Sequence, residues 1–429
     1  MASPAMLRMA LIIIVTLQAG CADCGRALEI ENADLTTGDA PPMHARDAAA
    51  FDAAAFDAAA FDAAAFDAAA FDQASTARAW QPAVNLVPSG LGPSYAPAVA
   101  INSHGAAIVG WRFNGATQGQ AAVSRFSFAT QAWSTADTVP LTAEGFAPIA
   151  VGLDEDEQAG AYQCTDDGEL ANYDPTLASW SVQTLAAPQN GINCGYPIAL
   201  PRSTRIVALW QQSVMQHEQL WTGRYENLAW TQIQQLEMGS LFVIESLAIG
   251  AHATGTAAAL WVSNLSTTAL RASLFDPLSA TWSSAVRVDD GSSTPSNVAI
   301  AVDGAGDAIA VWDDSSLGHL GTIWSSHFSA STQSWDHQQG IFTGGAGPTV
   351  ALSGDGTAIA IWQTTTPGAQ AGPNDRLWWS RYRGGTWAVP TALLLGPASD
   401  VDPHVAMNDA GEAVAAWSVG TDIWASRFE

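Results

Sequence analysis

Lysine is absent from this 429-residue chain, and its 15 basic residues, all arginine, stand against 41 acidic ones for a formal charge of −26. Without lysine there is no Schiff-base or lysine general-base chemistry, and so acidic a field repels phosphate backbones, which excludes nucleic acid as an expected partner. Long apolar runs are also scarce. Residues 247–270 are uncharged but carry His252, Asn264 and many Ser, Thr and Gly residues, which argues for a buried hairpin rather than a membrane span. The eight histidines are scattered, and His319, His327 and His337 share one segment without zinc-ligand spacing. Acidic stretches at 154–157, 303–307 and 409–412 lack the spaced ligand series of an EF-hand and read as tight turns. No metal or other cofactor is expected. No nucleophile, base and orienting acid can be picked out, so no catalytic residue is assigned and a non-enzymatic chain is expected.

The N-terminus carries Arg8, a short apolar core over residues 9–17 and small residues before Cys21, the pattern of an export signal over residues 1–20. Nine apolar residues are too few to cross a bilayer. Leu17-Gln18-Ala19-Gly20-Cys21 resembles a bacterial lipobox. That resemblance implies acylation of Cys21 and a membrane anchor facing periplasm or cell surface; Gln18 departs from the pattern, and secretion without a lipid is the alternative. Residues 21–46 read as a flexible tether. Over residues 47–76 the unit Asp-Ala-Ala-Ala-Phe recurs, with Phe51, Phe56, Phe61, Phe66 and Phe71 five apart. Such a spacing advances about 140° per step and spirals round a helix, so no coiled-coil seam forms. A semi-rigid spacer and unselected low complexity both fit it.

Tryptophan is abundant and periodic. Trp111, Tyr162, Trp210, Trp261, Trp312, Trp362 and Trp417 form one ladder, and Trp80, Trp133, Trp180, Trp230, Trp282, Trp335 and Trp387 a second, each with rungs some 47 to 55 residues apart. Self-similarity at this period marks a repeat array. Each unit holds two apolar runs around a Gly-rich turn, then an aromatic run such as Ile423-Trp424-Ala425-Ser426-Arg427-Phe428, then a run led by the second-ladder tryptophan. Four strands per unit make a propeller blade. The last unit stops before its fourth run, whereas an orphan fourth run, Trp80 to Leu86, precedes the first. Residues 77–429 are therefore expected to form an all-β, seven-bladed, monomeric propeller with four antiparallel strands per blade, closed by the N-terminal strand. Face-to-face packing buries the ladder tryptophans.

In such a ring Cys164 and Cys194 fall in links on one face, and an exported chain allows them to pair as a disulfide. Arg125, Arg224, Arg381 and Arg427 occupy one equivalent third-strand position, so they cannot converge on a single carboxylate site and are expected to be structural. The second-to-third-strand links hold Arg112, Asp166, Asp167, Asp313 and Asp314, the candidate binding face. The repeat pattern resembles that of uncharacterised secreted and lipid-anchored bacterial propeller proteins, and more distantly sialidase-type and fucose-lectin-type propellers. The resemblance implies a non-catalytic binding or interaction module with an unknown protein or carbohydrate ligand. A glycan-binding lectin, with Trp324, Trp378, Trp379 and Trp424 stacking on sugars between blades, is the alternative, and a sialidase-like hydrolase a more distant one.

Overall fold

A computed structural model describes residues 78–115, 120–141, 149–163, 168–185, 197–214, 217–238, 243–264, 268–314, 321–364, 376–394 and 401–429. The signal, tether and Asp-Ala-Ala-Ala-Phe tract, and with them Cys21, lie outside the described residues, as do Cys164, Cys194, Asp166 and Asp167. The described chain is all-β, antiparallel and propeller-like, built from four-strand motifs in chain order. In the first motif Ser94–Ile101, Ala107–Phe113 and Gln120–Ser127 pair consecutively, and Ala132–Trp133 and Asp137–Val139 supply the fourth position. The apolar stretch 247–270 is a hairpin, Val243–Ala251 against Ala257–Asn264, as its polar residues require. No helix among the described residues is long and apolar enough to cross a membrane.

Second strands such as Ala308–Asp313 and Ala257–Asn264 are buried on both alternating sides, because neighbouring sheets cover both faces. Trp111, Trp210, Trp261, Trp312, Trp362 and Trp417 are buried to 1% exposure or less. Each packs on the second strand of the preceding motif: Trp312 on Leu260 and Val262, Trp362 on Ile309 and Val311, and Trp417 on Ile359 and Ile361. Trp111 belongs to the same series, since it packs against Val414 and Ala416 of the last motif.

Small motifs in the sequence each acquire a physical role. The third-strand aromatic pairs with the second-ladder tryptophan, as Phe126 with Trp133, Tyr173 with Trp180, Tyr225 with Trp230, Phe275 with Trp282, Phe328 with Trp335 and Tyr382 with Trp387. The serine two residues earlier donates to the carbonyl one residue past that tryptophan: Ser124 to Ser134, Ser273 to Ser283, Ser326 to Asp336 and Ser380 to Ala388, at 2.7–2.8 Å. The chain ends repeat both contacts, with Trp80 bridged to Phe428 and Ser426 donating to the Gln81 carbonyl at 2.6 Å. Val84–Asn85 then pairs with Ala425 and Trp424.

The fourth run is less regular than expected. Trp282 to Val288 is split into Thr281–Trp282 and Val286–Arg287. At the break Ser273 donates to the Ser283 carbonyl at 2.7 Å, and the Ser283 hydroxyl accepts the Leu274 N–H at 3.0 Å in place of that carbonyl, so the strand leaves its ladder there. Ser134 does the same for Arg125 at 3.1 Å.

Candidate binding site

First strands from seven stretches of the chain line a cavity of about 730 Å³. Its walls include residues 98–103, 149–151, 197–201, 247–253, 297–302, 347–352 and 402–409. Most of these stretches are consecutive rather than alternate, so strand edges, and not sheet faces, meet the space. Small side chains recur at one register, Ala100, Ala150, Ala199, Ala248, Ala301, Ala351 and Ala406, and all of them line it. Tyr162 also reaches the lining, and burial raises its phenol to about 12.

One end of the cavity is made by the turns that follow the first strands. Asn102 Oδ1 accepts the His104 and Ala106 N–H groups at 3.1 and 3.0 Å, and Asp303 Oδ1 accepts those of Ala305 and Asp307 at 2.9 Å. Asp154 accepts both the Ser203 N–H, at 3.2 Å, and its hydroxyl. The acidic turns thus spend their carboxylates on backbone and neighbouring turns. Among the described residues no group of three or more His, Cys, Asp or Glu side chains could hold a metal ion.

At the linking end, Arg112 and Asp313 are wholly buried. Burial lowers the Arg112 guanidinium from its ordinary range, opposed by Tyr95. Asp313 accepts the Ser296 hydroxyl at 2.5 Å, the Asn297 side-chain amide at 2.9 Å and the Gly347 N–H at 2.8 Å, which ties two successive first strands together. Asn297 reaches it because a bulge there, with φ of 42°, breaks the strand register. Asp314 accepts the Thr322 N–H and, at 3.0 Å, the Trp324 indole. These three side chains are parts of the packing at strand ends, and the structure does not bring them together as one surface.

Three of the four repeated arginines lie over aromatic rings. Arg125 stacks on Tyr173 at 3.6 Å, Arg224 on Phe275 at 4.4 Å and Arg427 on Phe126 at 3.6 Å, each reaching the third strand of another motif. The tryptophans considered for sugar stacking are packed as well. Trp378 lies 5.3 Å from Phe342, Trp379 5.4 Å from Phe428, and Trp324 and Trp424 pack against the inter-motif clusters. The cavity is what reading the sequence did not find. Its signal in the sequence is the alanine register, one small residue at the same first-strand position of successive repeats.

No known family model matches the chain, and no curated protein matches it in sequence. Solved structures do match in fold. A polysaccharide lyase described as a PL25 ulvan lyase superposes with a TM-score of 0.54 at 7% identity, covering 80% of this chain and 95% of that one. The polysaccharide lyase Uly1 gives 0.53 at 11% identity, over 80% and 91%. A fungal alcohol oxidase of the AA5 family, in complex with copper, gives 0.51 at 12% identity, over 82% and 76%. At such identities the likeness is one of fold alone.

Proposed function

We propose that residues 77–429 close into a seven-bladed propeller serving as a non-catalytic binding module, exported and tethered to a bacterial membrane through Cys21. Ring closure is supported by neighbour order: each first strand touches the next along the chain, and His404–Met407 touches Ser94–Ile101. The contacts at the chain ends support it too, because they repeat those within every other motif. One observation carries the binding reading. A cavity is bounded by first strands from seven stretches of the chain, whereas the charged residues nearby are committed to the protein's own contacts. Catalysis by acid and base needs two such groups free to reach a common atom.

A glycan is the ligand class to test first, because polysaccharide lyases are among the similar folds, one of them also solved bound to -[GlcA(1-4)Rha3S]-. That polymer is anionic. A chain of charge −26, with Arg125, Arg224 and Arg427 engaged on aromatic rings, favours neutral glycans instead. Affinity electrophoresis of the full-length protein on neutral and anionic polysaccharides, with product analysis, tests both parts. Retardation by a neutral polymer without new reducing or unsaturated ends is expected. Product in proportion to protein overturns the non-catalytic reading, and retardation by none removes the glycan. Fatty-acid labelling that persists in Cys21→Ser overturns the anchor.

A further inference from the structure

One mouth of the cavity is bridged. His252 and Asp409 both line it, from turns of the fourth and seventh repeats, and His252 Nε2 lies 3.3 Å from Asp409 Oδ1. The Thr254 N–H donates to His252 Nδ1 at 3.2 Å, so in the neutral ring the proton sits on Nε2 and points at the carboxylate. The intervening repeats leave room for this. A Cβ on Gly304 would stand 3.0 Å from His252 Cε1, and one on Gly354 3.0 Å from Asp409 Oδ1. Glycine in these two turns therefore clears the path along which the two side chains meet.

The walls define a chemistry. First strands such as Ser94–Ile101, Ile149–Leu153 and Ser296–Val302 each have one hydrogen-bonded neighbour and end their sheets, so the other edge presents N–H and C=O groups to the space. Donors and acceptors thus alternate along the lining, with Ala, Val and Ile side chains between them. No arginine is among the described residues that line the cavity, so no permanent cation there neutralises an anion. Its carboxylates are already engaged: Glu155 accepts the Ser103 hydroxyl at 2.5 Å, Asp402 stands 3.5 Å from His404, and Asp409 meets His252. A bare organic cation would compete with those partners. A hydroxyl is at once donor and acceptor and carries no charge, and the volume falls within the range of small-ligand sites.

From these observations we infer that the cavity binds a small neutral polyhydroxylated ligand of mono- or disaccharide size, with His252 and Asp409 barring one mouth. The inference rests on the reading of the protein as a binding module and names the ligand class and its place.

Saturation-transfer NMR and hydrogen exchange on the full-length protein with cellobiose, maltose and glucuronic acid test it. The neutral sugars should bind, glucuronate about tenfold or more weaker, and first-strand amides such as Val99, Ile249 and Ile300 should gain protection. Ala406→Phe, which fills the lining, should abolish binding with the fold intact by circular dichroism. Should that variant misfold, the wild-type exchange pattern decides alone. In His252→Ala the association rate of a fluorescent cellobiose conjugate should rise; an unchanged rate overturns the barred mouth. Sugar binding or polysaccharide retardation without first-strand protection overturns the cavity as the site and leaves the module a binder. Absence of both overturns the two readings together. Tighter binding of glucuronate overturns the ligand class.

Discussion

Trp312 condenses how single residues hold this protein. It is wholly buried among Ala258, Leu260, Val262 and Phe328, so truncation leaves a cavity between two sheets that cannot collapse onto each other. Trp312→Ala is expected to cost about 3–5 kcal/mol in chemical denaturation. Because Trp312 Nε1 has no hydrogen-bond partner, Trp312→Phe loses volume but no bond and should cost clearly less. Asp303 offers a test by pH. Burial first, and the nearby Asp307 second, raise its carboxyl above the ordinary range, so the fold prefers the uncharged form. The stability it contributes is complete below the unfolded carboxylate range and is lost as pH rises through the folded value. Asn102 and Asn408 fill the same turn position and accept the same kind of N–H bond without charge. Asp303→Asn should therefore raise the denaturation midpoint at neutral pH, and the gap should close near about pH 4. The buried ladder was legible at this scale because period and residue type agree. Arg112 and Asp313 were not, since a polar residue beside a link does not announce whether its side chain turns inward.

Elements obey the same repeat, and their departures from it are informative. In the turn after the first strand, Gly105, Gly255, Gly306, Gly356 and Gly411 all have positive φ, whereas the second repeat puts Glu157 there with φ of 63°. A side chain in that conformation costs roughly 1–2 kcal/mol, partly offset by the greater freedom glycine loses on folding. Glu157→Gly is expected to stabilise by up to about 1 kcal/mol in thermal denaturation. The first N-terminal strand is a further case. Leu86 is buried at 6% exposure, and its N–H donates to the Ile423 carbonyl at 2.8 Å. Leu86→Pro removes that bond and should cost about 3 kcal/mol or more. Hydrogen exchange should then accelerate at Ala79 and Gln81, whose N–H groups donate to Glu429 and Arg427. Four strands per unit were readable from alternation and turn residues. The split of the fourth strand was not, because it depends on a third-strand hydroxyl such as Ser273, Ser326 or Ser380 taking the carbonyl the ladder would use, and serine is equally at home in an unbroken strand.

At the scale of the whole molecule, closure decides whether the chain ends are ends at all. Ala79 and Glu429 exchange backbone hydrogen bonds, Asn408 donates to the Asn102 carbonyl as Asn102 does to that of Asp154, and Arg427 covers Phe126 as Arg125 covers Tyr173. Each contact joins the last repeat to the first in the manner of neighbours within the chain. If the proposed ring is right, the break between residues 429 and 80 is equivalent to any other turn before a second-ladder tryptophan. Residues 329–334 supply the natural link of that kind, between Phe328 and Trp335. A permuted array should therefore fold, with Phe428 joined to Trp80 through a copy of that link and new ends opened between Leu278 and Ser279, where Leu278 is 96% exposed. Because no buried contact is lost, its melting temperature should fall within a few degrees of the original and its near-ultraviolet tryptophan signal should be retained. A linear array would respond differently. Joining its remote ends would demand a bend it does not have, and the permutant would lose its cooperative transition.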